Sequence, residues 1–195
     1  KYNQKNKEIM KNTIINEIDK HIQVSSSLNT LTNEIILSSQ LCISSLKNKG
    51  KILLFGNGGS AADAQHIAAE LVGRYKTERL GIAAIAITTD TSVLTSIGND
   101  FGYNHVFDRQ VEAIANEIDI VIGLSTSGKS INVINGLKMA SKIGCKTIGL
   151  SGQDGGDMSQ ICDINLIVPS QDTPRIQEMH ILIGHIICHL IEQEI

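Results

Sequence analysis

The chain of 195 residues has no tryptophan, three tyrosines, three phenylalanines, two prolines and four cysteines. So few aromatic rings disfavour a surface that stacks bases, and a net charge of −3 without any Lys/Arg run argues against nucleic acid as a partner. Cys42, Cys145, Cys162 and Cys188 form no CxxC pair and no zinc-finger spacing, so they read as buried thiols of a cytoplasmic protein. No secretory signal pattern and no apolar run long enough to span a bilayer is found, so no membrane partner is expected. The sequence opens on Lys1 rather than Met, and a few residues ahead of it are expected to have been trimmed or left out.

What is present is a composition of 42% apolar and 19% charged residues, that of a soluble globular protein with a substantial core. The most informative stretch is Ile52 to Glu70, ILLFGNGGSAADAQHIAAE. Its apolar start has the length of a buried parallel strand and runs into Gly56, Asn57, Gly58, Gly59 and Ser60, where the backbone can turn sharply and approach a ligand. A helix follows, and on it His66 and Glu70 stand four residues apart on one face. By spacing alone that pair is an ordinary solvated helix pair. Gly56 to Ala61 also fits the relaxed dinucleotide pattern G-x-G-x-x-G/A, although the acid that should follow, Asp90, comes late.

From there the chain alternates strand and helix. Strands are expected at Ala83 to Thr88, Ile118 to Leu124, Lys146 to Leu150 and Ile164 to Val168. Helices are expected at Ser60 to Val72, around Phe107 to Ala115, at Ser130 to Ile143, and from Arg175 to Glu194 after Pro174. Ahead of these lie two amphipathic patterns, Tyr2 to Val24 and Leu28 to about Lys49, separated by a break at Ser25 to Ser27. The expected fold is α/β, a five-stranded, mainly parallel sheet between helices, in one domain over residues 1–195. Residues 1–50 form a helical pair available for oligomer packing and residues 51–195 form the core.

A second loop, Leu124 to Ser130, reads LSTSGKS between a buried strand and a helix. Its hydroxyls and free N–H groups make an anion cradle, a better reading than a serine-rich turn. Gly123 to Ser130 also fits the Walker form G-x-x-x-x-G-K-[ST], but Gly123 lies inside the strand and the next strand does not end directly in a metal-holding Asp.

These residues carry a likeness. Strand-GNGGS-helix, strand-STSGxS-helix and a last helix opening RIQEMH resemble the sugar isomerase (SIS) domain family. AQHIAAELVGRY, IGNDFGYN and RIQEMHILIGH together resemble its phosphoheptose isomerase branch. The resemblance implies a three-layer SIS fold in which Ser125, Thr126, Ser127 and Ser130 hold a sugar phosphate. It implies that Asn57, Gly58 and Gly59 line the substrate and that Asn99 and Asp100 contact the sugar. It further implies one zinc per subunit on His66, Glu70, Gln177 and His185, with Glu70 and His185 as acid/base catalysts and with Glu70 and Gln177 also facing substrate. The implied reaction converts D-sedoheptulose 7-phosphate to D-glycero-D-manno-heptose 7-phosphate, the first step toward heptose for lipopolysaccharide or capsule. The implied assembly is a homotetramer with active sites at subunit interfaces.

The residue types suit that chemistry. Ketose-to-aldose exchange needs a base near C1 and C2 and a stabiliser for charge on the oxygens, roles open to a carboxylate, an imidazole and a Lewis-acidic metal. A carboxylate bound tightly to zinc is a poor base, so the ligand and base readings of Glu70 describe different states. Gln177 and His185 are eight residues apart on one helix, about 12 Å along its axis, so a site using both is expected to draw on more than one subunit. Without the resemblance His185 reads as a core histidine, as do His180 and His189, and His105 has no assigned role. The rival class is a non-catalytic SIS protein of the replication-initiator-associating type, which lacks the Glu and second His present here as Glu70 and His185. A phosphosugar-sensing regulator would carry a DNA-binding module, and no basic helix-turn-helix segment precedes residue 50. Lys129, after the loop glycine, either adds charge beside a phosphate or faces solvent, and Thr173 is a further candidate for substrate contact.

Overall fold

The computed structural model describes residues 3–195, so the expected helix start at Tyr2 lies outside the described residues. Five strands form one wholly parallel sheet in the order β2-β1-β3-β4-β5. They are β1 (Ile52–Gly56), β2 (Ala84–Ala86), β3 (Ile120–Leu124), β4 (Lys146–Gly152) and β5 (Ile164–Val168). The helices are α1 (Gln4–Ser27), α2 (Thr32–Lys47), α3 (Gly59–Val72), α4 (Thr91–Asp100), α5 (Asp108–Ile114), α6 (Ile131–Ile143) and α7 (Thr173–Glu194). All five residues of β1 and of β3 are buried, which is why these strands read as unbroken apolar runs.

Alternate side chains feed two cores. Ile52 and Leu54 of β1 point toward α2, α3 and α7, where they join Ile67, Leu71, Met179 and Ile183. Leu53 and Phe55 point the other way, toward Val111 of α5 and Val133 and Leu137 of α6, and Phe55 stacks on Phe107 at 4.9 Å between ring centroids. The starts of the two central strands are tied by Asp119. Its carboxylate accepts from the backbone N–H groups of Lys51 and Asn116 at 2.9 and 2.8 Å and pairs with Lys51 Nζ at 2.6 Å.

Several boundaries differ from expectation. The serines at 25–27 do not break the first helix, because the hydroxyls of Ser26 and Ser27 donate back to the carbonyls of Ile22 and Val24 and let it continue to Ser27. A tight 3-10 turn over Leu28–Leu31 then separates it from α2, which starts at Thr32. The edge strand β2 is shorter than expected, having a strand neighbour on one side only. Helix α4 was not anticipated; its residues TSVLTSIGND include four β-branched and three small positions, all poor helix formers, although Leu94 and Ile97 pack on the core. Asp90 starts it by accepting from Val93 N at 3.0 Å, so the acid weighed for a dinucleotide ribose is an N-cap. Pro174 sits in the first turn of α7 as expected. All four cysteines are free, and no described helix is long and apolar enough to cross a membrane.

His180, in the middle of α7, is fully buried and its Nε2 lies 3.0 Å from the Ser151 carbonyl oxygen. Burial pushes its imidazole down to about 4, against the opposing pull of that carbonyl. An unfolded histidine takes up its proton near pH 6.5, so the unfolded chain binds more protons than the native one between there and pH 4. Stability is therefore expected to be full above pH 6.5 and to fall as pH drops, by roughly 2 kcal/mol at pH 5 relative to pH 7 from this group. Urea unfolding at the two pH values and one protein concentration measures it, and His180→Asn should flatten that part of the curve.

Candidate functional site

The strand order reverses direction between β1 and β3, and in open parallel sheets the crevice beyond that switch point receives the ligand. Gly56 of β1 lies in register with Leu124 of β3, so the loops after them, Asn57–Gly58 and Ser125–Ser130, leave the sheet side by side. Asn57 and Asn132, the latter in the first turn of α6, exchange amide hydrogen bonds of 2.9 Å and join the two loops. Tyr103 donates its hydroxyl to Asn57 Oδ1 at 3.2 Å from the segment that follows α4. Asn99 and Asp100 end α4 at the surface, hydrogen-bonded to each other at 2.7 Å.

The hydroxyl loop closes on itself ahead of α6. Ser125 and Ser130 hydroxyls lie 2.9 Å apart, Ser127 Oγ accepts from the N–H of Lys129, and Ser130 is the N-cap of α6. Thr126 lies half-buried between them. Gly128 takes φ +65° against the backbone of Gly155 and Gly156, a place where any side chain would collide with a carbonyl. Gly58 also has positive φ, +55°, and open space where a Cβ would stand. Gln177 of α7 covers Gly59 so closely that a Cβ there would be 2.5 Å from its Nε2. Lys129 turns to Asp154, 3.3 Å away on the surface, rather than into the cradle.

A second group lies further along the same two helices. His66 Nε2 is 2.9 Å from His185 Nε2 and 3.2 Å from Glu70 Oε1, and the donor atoms of all three residues fall within 4.8 Å of one another. Zinc bonds of about 2.0–2.2 Å in a tetrahedral array put neighbouring donors roughly 3.3–3.5 Å apart, so this spacing fits a metal ion with little adjustment. Two nitrogens, one carboxylate and an exposed side, His66 keeping 49% of its side-chain surface open, are the donor set and access of a site with a free coordination position. Helices α3 and α7 run parallel here, Gly59 facing Gln177 and Ile67 facing Gly184. Gln177 therefore lies about two turns, roughly 10–12 Å, from the His66–Glu70–His185 group of the same chain.

The other histidines find separate partners: His105 pairs with Asp108 at 2.9 Å and His21 with Glu178 at 2.8 Å. Sequence reading did not single out Asn132, Tyr103, Tyr75, Arg79 or Glu192. Tyr75 stacks on His185 at 5.4 Å between centroids, and it stands in the AQHIAAELVGRY stretch already singled out, the one signal that could have found it.

Comparison with known proteins gives one answer. A family model for the SIS domain matches residues 18–152. The phosphoheptose isomerase of Aliarcobacter butzleri is 60% identical over 187 residues, covering 95% of this chain and 99% of that protein. The solved phosphoheptose isomerase of Neisseria gonorrhoeae superposes with a TM-score of 0.90 at 41% identity, covering 94% of this chain and 99% of that one. That of Francisella tularensis also superposes with a TM-score of 0.90, at 36% identity over 93% of this chain and 97% of that one.

Replacing Gly128 with alanine tests the cradle. The strained φ and the collision with Gly155 are expected to lower stability by about 1–3 kcal/mol and to weaken sugar-phosphate binding at least tenfold, measured by denaturant unfolding and titration calorimetry.

Proposed function

The chain belongs to the SIS-domain family and, within it, to the phosphoheptose isomerases, and from that premise we propose how its residues interconvert D-sedoheptulose 7-phosphate and D-glycero-D-manno-heptose 7-phosphate. The observation that carries the reading is the pairing of an anion cradle at the β1/β3 crevice with the converging donors of His66, Glu70 and His185. Ser125, Thr126, Ser127 and Ser130 with the N-terminus of α6 hold the phosphate, while Asn57, Gly58 and Gly59 line the chain of the sugar. Asn99, Asp100 and Gln177 meet its hydroxyls.

Conversion of ketose to aldose takes a proton from C1, returns one to C2, and moves a hydroxyl proton from O1 to O2 through an enediol. Glu70 carries the carbon-bound proton and His185 exchanges protons with the oxygens. Zinc held by His66, Glu70 and His185, with Gln177 as a fourth donor, would polarise the carbonyl as a Lewis acid. Glu70 serves as base in the state in which it is not held tightly as a ligand.

The two parts of the site belong to different chains. Within one chain Gln177 lies about two helical turns from the metal group, too far for one ion to be shared. A second copy supplies the missing half. Helix α1 supports an oligomer: Ile9, Met10, Ile14, Ile15, Ile18 and Ile22 line it, and none of its described residues is buried. A homotetramer with sites at the interfaces accounts for both features, with residues 1–195 as one SIS domain. The product feeds heptose synthesis for a surface glycan, and the free thiols suit a cytoplasmic enzyme.

Purified protein incubated with sedoheptulose 7-phosphate should give the aldoheptose phosphate by carbon NMR, and Glu70→Gln and His185→Gln should each lower kcat by about 10²–10⁴. Mixing Glu70→Gln protein with a Ser125→Ala/Ser130→Ala double variant under subunit exchange should restore turnover that neither has alone. Two dead proteins that stay dead on mixing, with exchange shown by native mass spectrometry, would mean that each chain builds its own site.

A further inference from the structure

Beyond the cradle and the metal group, one buried polar cluster has no part in the chemistry above. Arg79 lies in the loop after α3 and donates from Nη2 to the Glu70 carbonyl and from Nη1 to the Leu71 carbonyl, both at 2.8 Å. These are carbonyls of the last turn of the helix that carries His66 and Glu70, groups with no intrahelical partner of their own. The same guanidinium makes an ion pair through Nε, at 3.3 Å and without a hydrogen bond, with Glu192 in the last turn of α7, the helix that carries His185. Both side chains are nearly closed off, with 11% and 3% of their surface exposed.

The Glu192 carboxylate does more than pair with arginine. It accepts the backbone N–H groups of Tyr75, Lys76 and Thr77 at 3.2, 2.9 and 3.1 Å. Burial pushes its carboxyl up, yet these three donors and the Arg79 charge outweigh that and hold it below the ordinary glutamate range. The loop is thereby pinned against α7 with Tyr75 over the imidazole of His185, at 5.4 Å and an interplanar angle of 25°.

We infer that Tyr75, held by the Arg79–Glu192 clasp, is a positioning residue that fixes the ring plane of His185 so that its Nε2 stands 2.9 Å from His66 Nε2 and the donors of His66, Glu70 and His185 stay within 4.8 Å of one another. The clasp joins the ends of the two ligand-bearing helices, and the tyrosine stacks on a ring whose one hydrogen-bonding contact among the described residues is with His66. Aromatic stacking prefers a defined offset geometry, which an aliphatic neighbour of similar volume does not impose. The inference rests on the reading of His66, Glu70 and His185 as the metal and acid/base centre.

The test uses the full-length protein with Tyr75→Leu, Tyr75→Met and Tyr75→Phe. Zinc affinity is read by competition with a chromophoric chelator, and kcat and KM are read on sedoheptulose 7-phosphate. Loss of a group that orients a metal-ligating histidine costs about 10–100-fold in affinity or activity, so Tyr75→Leu and Tyr75→Met should lose about tenfold in zinc affinity and in kcat. KM should hold, and Tyr75→Phe, which keeps the ring, should restore both quantities to within about threefold of wild type. Glu192→Gln should shift zinc affinity in the same direction as Tyr75→Leu. Wild-type affinity and kcat in either aliphatic variant, or a Tyr75→Phe protein as impaired as they are, would overturn the proposal. Wild-type protein that binds no zinc would refute the metal reading instead, and the proposal would then be decided by kcat alone on the same variants.

Discussion

The close parallel packing of α3 against α7 is the contact on which the rest depends. It is made possible at Gly184, where a Cβ would stand 2.5 Å from Ile67 Cδ1 and 2.6 Å from its Cγ1. With no side chain there, the isoleucine seats itself against the backbone of α7 and the neighbouring positions His66 and His185 come face to face. A side chain of ordinary size would force the helices apart and with them the donor atoms. The buried residues around it, Ala64, Ala68 and Leu71 on one side and Ile183, Ile187 and Cys188 on the other, form the core that holds the alignment. The convergence of His66, Glu70 and His185 and the packing of the core are here the same set of contacts.

The sheet contributes the other half. Reversal of strand order at β1 and β3 opens a crevice whose two loops are both closed by backbone and amide groups rather than by charge. Such a cradle recognises phosphate by directed donors and a helix N-terminus, and leaves the neutral sugar to hydrogen-bonding side chains. The hydroxyl loop thus opens α6, while the His66, Glu70 and His185 donors converge from α3 and α7.

Much of this was legible in the sequence because its signals are local. The buried strands β1 and β3, the edge strand β5, the glycine turn at 56–59, the hydroxyl loop at 125–130 and the His66/Glu70 face each depend on neighbours within a few residues. What escaped depends on distant partners. Asn132 matters through Asn57, Tyr75 through His185, and Arg79 through Glu192, and no spacing rule ties residues more than 70 or 100 positions apart. The serines at 25–27 misled because a turn-forming residue and a helix residue bonding to the previous turn look alike in sequence. Helix α4 escaped because its run of Thr, Ser, Val, Ile and Gly has weak helix propensity, and an aspartate cap sets its start.

The union of α3 with α7 also sets an order of events in folding. His66 and His185 are 119 positions apart, and Tyr75 and Glu192 117. Contacts of such span carry a large chain-closure cost and form late, after the strands and their crossover helices have condensed. A growing polypeptide that has completed β1 and α3 presents Ala64, Ile67, Ala68 and Leu71 without their cover until the last helix has been made. During that interval the nascent chain displays the very surface that later aligns the reactive groups, a patch open to self-association or to a chaperone.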